Sequence, residues 1–295
     1  MAPSSSGPGR QVLILKIRGS TPLGVTKLKL SCFTKYLQIR IPRRRNTCGE
    51  FYLSFISVGV FDSPMATDIL KLMKTIVITG GSDGLGKVLA EKLAPDNKVI
   101  ILARNEAAMQ KIAAETGCSH YVCDVRDAKQ IASTFGKISE VHGKIDVLIN
   151  SAGVIVNAEL VDIPDKTIEN VITTNTLGTI YAAKAALIRM KEQKEGLIIN
   201  VVSTAGITAK ATRSIYNASK WAITGFTKAL QEEAAEYNVR VTGFYPGTIR
   251  TNLFAKAGLS LNGKAMTTEQ AVKAIEFVLS CDEDVLVPEI GIKPL

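Results

Sequence analysis

The stretch that most constrains this chain is Thr75-Ile76-Val77-Ile78, which runs straight into Thr79-Gly80-Gly81-Ser82-Asp83-Gly84-Leu85-Gly86 and then into an apolar periodicity through Val88, Leu89 and Leu93. A short continuous β-branched run is what a strand buried on both faces of a parallel sheet requires. Strand, glycine turn and helix in that order build a phosphate-binding corner. Gly80 permits the tight turn, Gly84 lets the backbone approach a pyrophosphate, and Gly86 allows close helix–strand packing, with the helix N-terminus facing the anion. The reading is a dinucleotide site.

The same alternation continues down the chain. A second strand, Lys98 to Ala103, is followed by a helix near 106–116, a strand at 119–123 ending at Asp124, a helix at 127–141 and a strand at 145–150 ending in Asn150-Ser151-Ala152-Gly153. A long helical stretch spans about 165–192 and carries Asn175, by default a mild and exposed mid-helix defect. Then come a buried strand from Leu197 to Ser203, a helix at 212–236, a strand from Val239 to Phe244 and the break Pro246-Gly247. The helix from Thr267 to Ser280 opens on a capping box, Gln270 sitting three residues after Thr267. A last strand, about Val285 to Ile292, contains Pro288, which argues for an edge position because proline cannot donate to a ladder. Repeated βα units with short connections predict an α/β fold: a Rossmann-type doubly wound parallel sheet of about seven strands, helices on both faces, ligands beyond the strands' carboxyl ends.

The end of the second strand bears on the choice of dinucleotide. An NAD site usually carries a carboxylate there for the ribose 2′-hydroxyl; this chain has Ala103 and then Arg104, whose guanidinium suits a 2′-phosphate. NADP is favoured over NAD. Asp83 argues the other way, by adding negative charge near the adenosine side.

Charge separates the domain from what precedes it. The chain has a net charge of +9, but residues 1–73 hold 11 Lys/Arg against 3 Asp/Glu, while residues 74–295 hold 25 against 24. The expected organisation is therefore a basic, poorly ordered extension at 1–72 and a single domain at 73–295. Acid-poor, Arg-rich sequence fits an organellar presequence, and equally a non-native stretch upstream of Met65 or Met73. The expected location is cytoplasmic, or organellar if the extension is a genuine presequence. The apolar run from Phe51 to Phe61 is short of the ~20 residues a membrane helix needs, so stable membrane insertion is not expected. No basic, aromatic-interleaved groove points to nucleic acid. The five cysteines are scattered without a Cys-x-x-Cys pair; Cys118, His120 and Cys123 read as strand packing and no metal site is expected.

One further spacing carries chemistry. Tyr216 and Lys220 are four apart, so phenol and ammonium share a helix face, and the ammonium would lower the phenol's pKa from ~10 toward neutrality. By itself the spacing is close to chance in a chain with 7 Tyr and this many Lys.

Together these elements resemble the short-chain dehydrogenase/reductase family. The features that carry the likeness are Thr79 with Gly80, Gly84 and Gly86, then Asp124, Asn150-x-Ala152-Gly153, Asn175, Ser203, Tyr216-x3-Lys220 and Pro246-Gly247-x3-Thr251, all in the family's order across 74–295. Ser151 stands where the family usually has a second Asn, which leaves the hydrogen bonding of that turn open. The resemblance implies that Tyr216 is the general acid in carbonyl reduction or the base in alcohol oxidation, and that Ser203 hydrogen-bonds the substrate oxygen. It also implies that Lys220 binds the nicotinamide ribose and that Asn175 holds a water linking Lys220 to solvent. Thr251 and the Pro246-Gly247 backbone would position the nicotinamide amide; Thr79, Gly80, Ser82, Leu85, Arg104, Asp124, Val125, Asn150, Ala152 and Gly153 would line the rest of the cofactor site. A homo-oligomer, dimer or tetramer, is implied as well, with Trp221 and Phe226 serving core or interface.

The resemblance implies a small carbonyl compound or alcohol as substrate, and Lys210 and Arg213, between Ser203 and Tyr216, would draw an anionic one. A small hydroxy acid and an acyl-carrier thioester both fit. The alternatives are a 3-oxoacyl thioester reductase and a non-catalytic dinucleotide-binding protein.

Overall fold

The computed structural model describes residues 73–295 apart from Asn262, together with the backbone of two short strands, β1 (Gln38–Pro42) and β2 (Leu53–Ser57). Those two pair antiparallel, Gln38 opposite Ser57. By contacts the chain divides into units 1–72 and 73–295. Apart from β1 and β2, the extension for which low order was expected lies outside the described residues.

From Met73 onward the strands are β3 (Thr75–Thr79), β4 (Lys98–Ala103), β5 (Ser119–Val122), β6 (Val147–Asn150), β7 (Gly196–Val201), β8 (Val239–Pro246) and β9 (Glu289–Ile292). All pair in parallel, in the order β5-β4-β3-β6-β7-β8-β9. This is the doubly wound sheet the alternation called for, with its direction of winding reversing between β3 and β6. Successive side chains point to opposite faces, and both faces are covered. On one side Ile76, Ile78, Ile101 and Ile149 pack with α1 (Gly84–Leu93), α2 (Glu106–Thr116) and α8 (Thr268–Ser280). On the other, Val77, Ile100, Leu102 and Leu148 pack with α3 (Ala128–His142), α5 (Gly178–Gln193) and α6 (Ser214–Ala235). Cys118 and Cys123 are buried in this packing.

Local chemistry sets the helix ends. Asn105 caps α2, accepting from the Ala108 N–H at 3.1 Å, and Gly117 closes it in the left-handed conformation. Thr267 and Gln270 form the capping box of α8. The long helical stretch is continuous but not uniform: α4 (Asp165–Ile172) passes through one π-helical turn, Thr173–Leu177, before α5. Pro288 precedes β9 instead of lying within it, and its carbonyl accepts from the Gly243 N–H at 2.9 Å. The edge position of the last strand is as expected; the proline stops the strand because it has no N–H to offer the ladder. Among the described residues no helix is long and apolar enough to cross a membrane.

Candidate active site

Beyond the carboxyl ends of the parallel strands lies a cleft of about 1170 Å³. At one end is the glycine corner. Gly80 has φ +73°, and a Cβ there would come within 2.7 Å of the Ala152 Cα, so only glycine lets β3 and the Ala152 turn meet. A Cβ on Gly86 would lie 2.4 Å from the Gly80 carbonyl oxygen. Thr79 stitches the corner from behind, its Oγ1 accepting from the N–H groups of Ser151 (3.2 Å) and Ala152 (3.3 Å). The turn at Ser151 thus closes through backbone donors, whatever its side chain.

Of the residues anticipated for the site, Gly80, Ser82, Gly84, Leu85, Arg104, Asp124, Val125, Ala152, Gly153, Ser203, Tyr216, Lys220, Pro246, Gly247 and Thr251 line this one cleft. Thr79, Gly86, Asn150 and Asn175 stand behind its wall. Asn150, buried, donates to Asn200 Oδ1 at 3.0 Å, and Asn200 donates to Thr227 Oγ1 at 3.0 Å, tying β6 to β7 and α6. Asn175 is fully buried, contrary to the default for a mid-helix asparagine. The reason is its place in the π turn: Oδ1 accepts from the Val154 N–H (2.8 Å), and Nδ2 donates to the Val154 carbonyl (2.9 Å) and to Ser219 Oγ (3.0 Å). Ser219 in turn donates to the Tyr216 carbonyl at 2.7 Å. Ser219, Asn200 and Asn157, which accept from Asn175, Asn150 and Arg213, were not legible as site residues, because those partners are remote in sequence.

Asp83, expected to add negative charge near the adenosine side, lines the cleft with that charge paired: its carboxylate caps α1 through the Gly84 N–H (2.8 Å) and reaches Asn252 and Lys256 on α7 (Asn252–Lys256). Burial raises its pKa, but Lys256, the Gly84 N–H and Asn252 outweigh that and hold the carboxyl below its ordinary value. Asp124 is likewise neutralised. Arg126 clamps it through Nε and Nη2, at 3.0 and 2.6 Å, and reaches Asn170 with Nη1.

At the other end Ser203 follows β7 with φ +100°, a strained backbone for a non-glycine residue. Its Oγ accepts from the Ala205 N–H at 3.2 Å, which leaves its own hydrogen free to donate. Burial pushes the Tyr216 phenol above its usual value, with the Ser203 hydroxyl and the Arg213 charge partly opposing. The expected lowering by Lys220 is absent. Its ammonium points to the Val201 carbonyl at 3.0 Å, 5.9 Å from the Tyr216 ring centre, and burial pushes it down to about 8.

The donor set fits a dinucleotide phosphate: the N–H groups of Leu85 and Gly86 in the first turn of α1 have no acceptor among the described residues, and the nearby carboxylates are paired.

Comparison with known proteins gives the same picture. The family model described as short chain dehydrogenase matches residues 74–261. Carbonyl reductase family member 4 of Xenopus laevis is 38% identical over 187 residues, covering 62% of this chain and 78% of that protein. An alcohol dehydrogenase from the archaeon Thermococcus sibiricus, complexed with 5-hydroxy-NADP, superposes with TM-score 0.69 at 26% identity, covering 75% of this chain and 96% of that one. A serine dehydrogenase complexed with NADP+ gives TM-score 0.70 at 26% identity, covering 74% and 94%. The chain belongs to the short-chain dehydrogenase/reductase family and is an NAD(P)-dependent oxidoreductase of that family.

Proposed function

We propose that residues 73–295 form one catalytic domain that interconverts a small carbonyl compound and its secondary alcohol with NADP(H). The observation that carries this is that Ser203, Tyr216 and Lys220 line the same cleft as the glycine corner and Arg104. NADP(H), when bound, supplies or accepts the hydride. Tyr216 gives its proton to the carbonyl oxygen, or takes it from the alcohol, while the free Ser203 hydrogen bonds that oxygen. The Lys220 ammonium uses one of its three hydrogens on Val201, leaving two for a ribose. Both Nδ2 hydrogens of Asn175 are taken, so any water it holds bonds to one of its oxygens.

NADP as the cofactor is supported by Ala103 and Arg104 at the end of β4, by the absence of an ion-pair partner for Arg104 among the described residues, and by NADP forms bound in both structural neighbours. Titration with both dinucleotides tests it: NADPH binds more tightly, and Arg104→Ala loses about 10-fold or more of that affinity, the scale of a charge-assisted contact. Equal binding of NADH, or no loss in Arg104→Ala, contradicts it. Activity is tested by following NADPH oxidation and NADP reduction across oxo acids, hydroxy acids, neutral ketones and acyl thioesters. Turnover of none of them overturns the reading.

A further inference from the structure

Seven charged side chains line the cleft, and they are unevenly compensated. Its two carboxylates, Asp83 and Asp124, are both taken, by Lys256 and by Arg126. Among the described residues Arg104, Lys210 and Arg213 have no carboxylate within ion-pair distance. Arg104 belongs to the dinucleotide end. Arg213 is close enough for its charge to act on the Tyr216 phenol, and Lys210 lines the same cleft. A low-dielectric cleft with unneutralised charge of one sign concentrates ligands of the other.

Arg213 is also held as a recognition group. Its Nε donates to Asn157 Oδ1 at 2.9 Å, and its guanidinium sits 6.0 Å from the Phe254 ring centre. The Ala158 N–H bonds the Thr212 carbonyl at 2.8 Å, so the loop bearing Asn157 is fastened to the residue just before Arg213. Half-buried and fixed at Nε, the side chain keeps both terminal nitrogens, Nη1 and Nη2, without a hydrogen-bond partner among the described residues. That is the edge that grips a carboxylate with two parallel bonds. A flexible surface arginine would have neither the tether nor the aromatic wall. Arg213 is the N-cap residue of α6, three residues before Tyr216, and its charge acts on the Tyr216 phenol. An anion on Arg213 therefore sits on the Tyr216 side of the cleft.

We propose that the substrate is a small oxo acid, or the corresponding hydroxy acid, whose carboxylate is bound by the free edge of Arg213 while Tyr216 and Ser203 hold the reacting oxygen. Lys210, exposed at the rim, adds attraction without fixing geometry. The proposal rests on the carbonyl/alcohol reading of the same site and commits to a free carboxylate, not to a thioester.

The test pairs pyruvate and acetoacetate with their methyl esters, using NADPH, in the parent, Arg213→Gln and Arg213→Lys. In the parent, kcat/KM favours the acid of the better pair about 10- to 100-fold, the range of a charge-assisted hydrogen-bond pair. In Arg213→Gln the acid-to-ester ratio falls toward one, chiefly through KM, and Arg213→Lys recovers part of it by keeping the charge without the fork. No acid preference in the parent, an equal loss on acid and ester in Arg213→Gln, or preferred turnover of acetoacetyl thioesters overturns the proposal. If neither acid nor ester consumes NADPH, the carbonyl reading fails and the anion site is judged by calorimetry with malonate on the NADPH-loaded protein. Malonate binding to the parent that is lost in Arg213→Gln upholds the site; no binding to the parent refutes it.

Discussion

The Lys220 ammonium lies 5.9 Å from the centre of the Tyr216 ring and donates at 3.0 Å to the Val201 carbonyl, not to the phenol. Both side chains are buried, and burial moves their pKa values toward the neutral form of each: Tyr216 up, Lys220 down to about 8. Tyr216 is therefore held neutral, while Lys220 keeps its charge only below about pH 8. A ligand that brings acceptors to Lys220 would hold that charge to higher pH.

The lysine leaves a signature in the stability of the ligand-free protein. Between about pH 8 and 10 folded Lys220 has released its proton while an unfolded lysine keeps it, so the unfolded state binds more protons and stability rises with pH. Below pH 8 the buried charge costs its full amount. Urea unfolding across this window should show the parent gaining up to roughly 3 kcal/mol relative to Lys220→Met, at 1.36 kcal/mol per pKa unit. Parallel pH profiles for the two proteins contradict the assignment.

Asn175→Ala removes three hydrogen bonds and orphans both polar groups of the Val154 peptide. A loss of about 2–4 kcal/mol is expected, because each buried unsatisfied group costs ~1–3 kcal/mol. Dinucleotide affinity falls with it, since Val154 follows the Gly153 turn in the cleft wall. A urea midpoint within error of the parent's shows that the π turn does not hold this wall.

Asp83 joins the glycine loop to α7. Asp83→Ala loses a helix cap, worth ~1 kcal/mol, and an exposed ion pair worth less than about 1. Lys256→Ala loses only the second. The first variant should lower the melting temperature more than the second. The carboxyl's contribution is present above its ordinary pKa near ~3.9 and is lost as pH falls through its lower folded value. Equal melting temperatures for the two variants show that the cap carries nothing.

Much of this site was legible because its signals are local. Positive φ at Gly80 and Gly84, the i,i+4 pair Tyr216 and Lys220, and the capping box at Thr267 depend on neighbours within a few residues, and each is found where the spacing placed it. What was not legible depends on partners far along the chain. Asn175 meets Val154 and Ser219, Arg213 meets Asn157, and Asp83 meets Lys256 across 173 residues. The direction of the Tyr216 shift escaped for the same reason: spacing gave the charge beside it, but only the assembled fold gave its burial.

The central claim is that Tyr216 passes the proton in an NADP(H)-dependent conversion of a carbonyl. It is tested most directly by NADPH oxidation in the parent and in Tyr216→Phe, on the carbonyl substrate the parent turns over best. The change removes one hydroxyl from a buried ring and leaves the glycine corner and Arg104 in place. The account predicts that kcat falls by about 10²–10⁴, the usual worth of a positioned general acid, while NADPH still binds. Turnover in Tyr216→Phe within a factor of about two of the parent contradicts it.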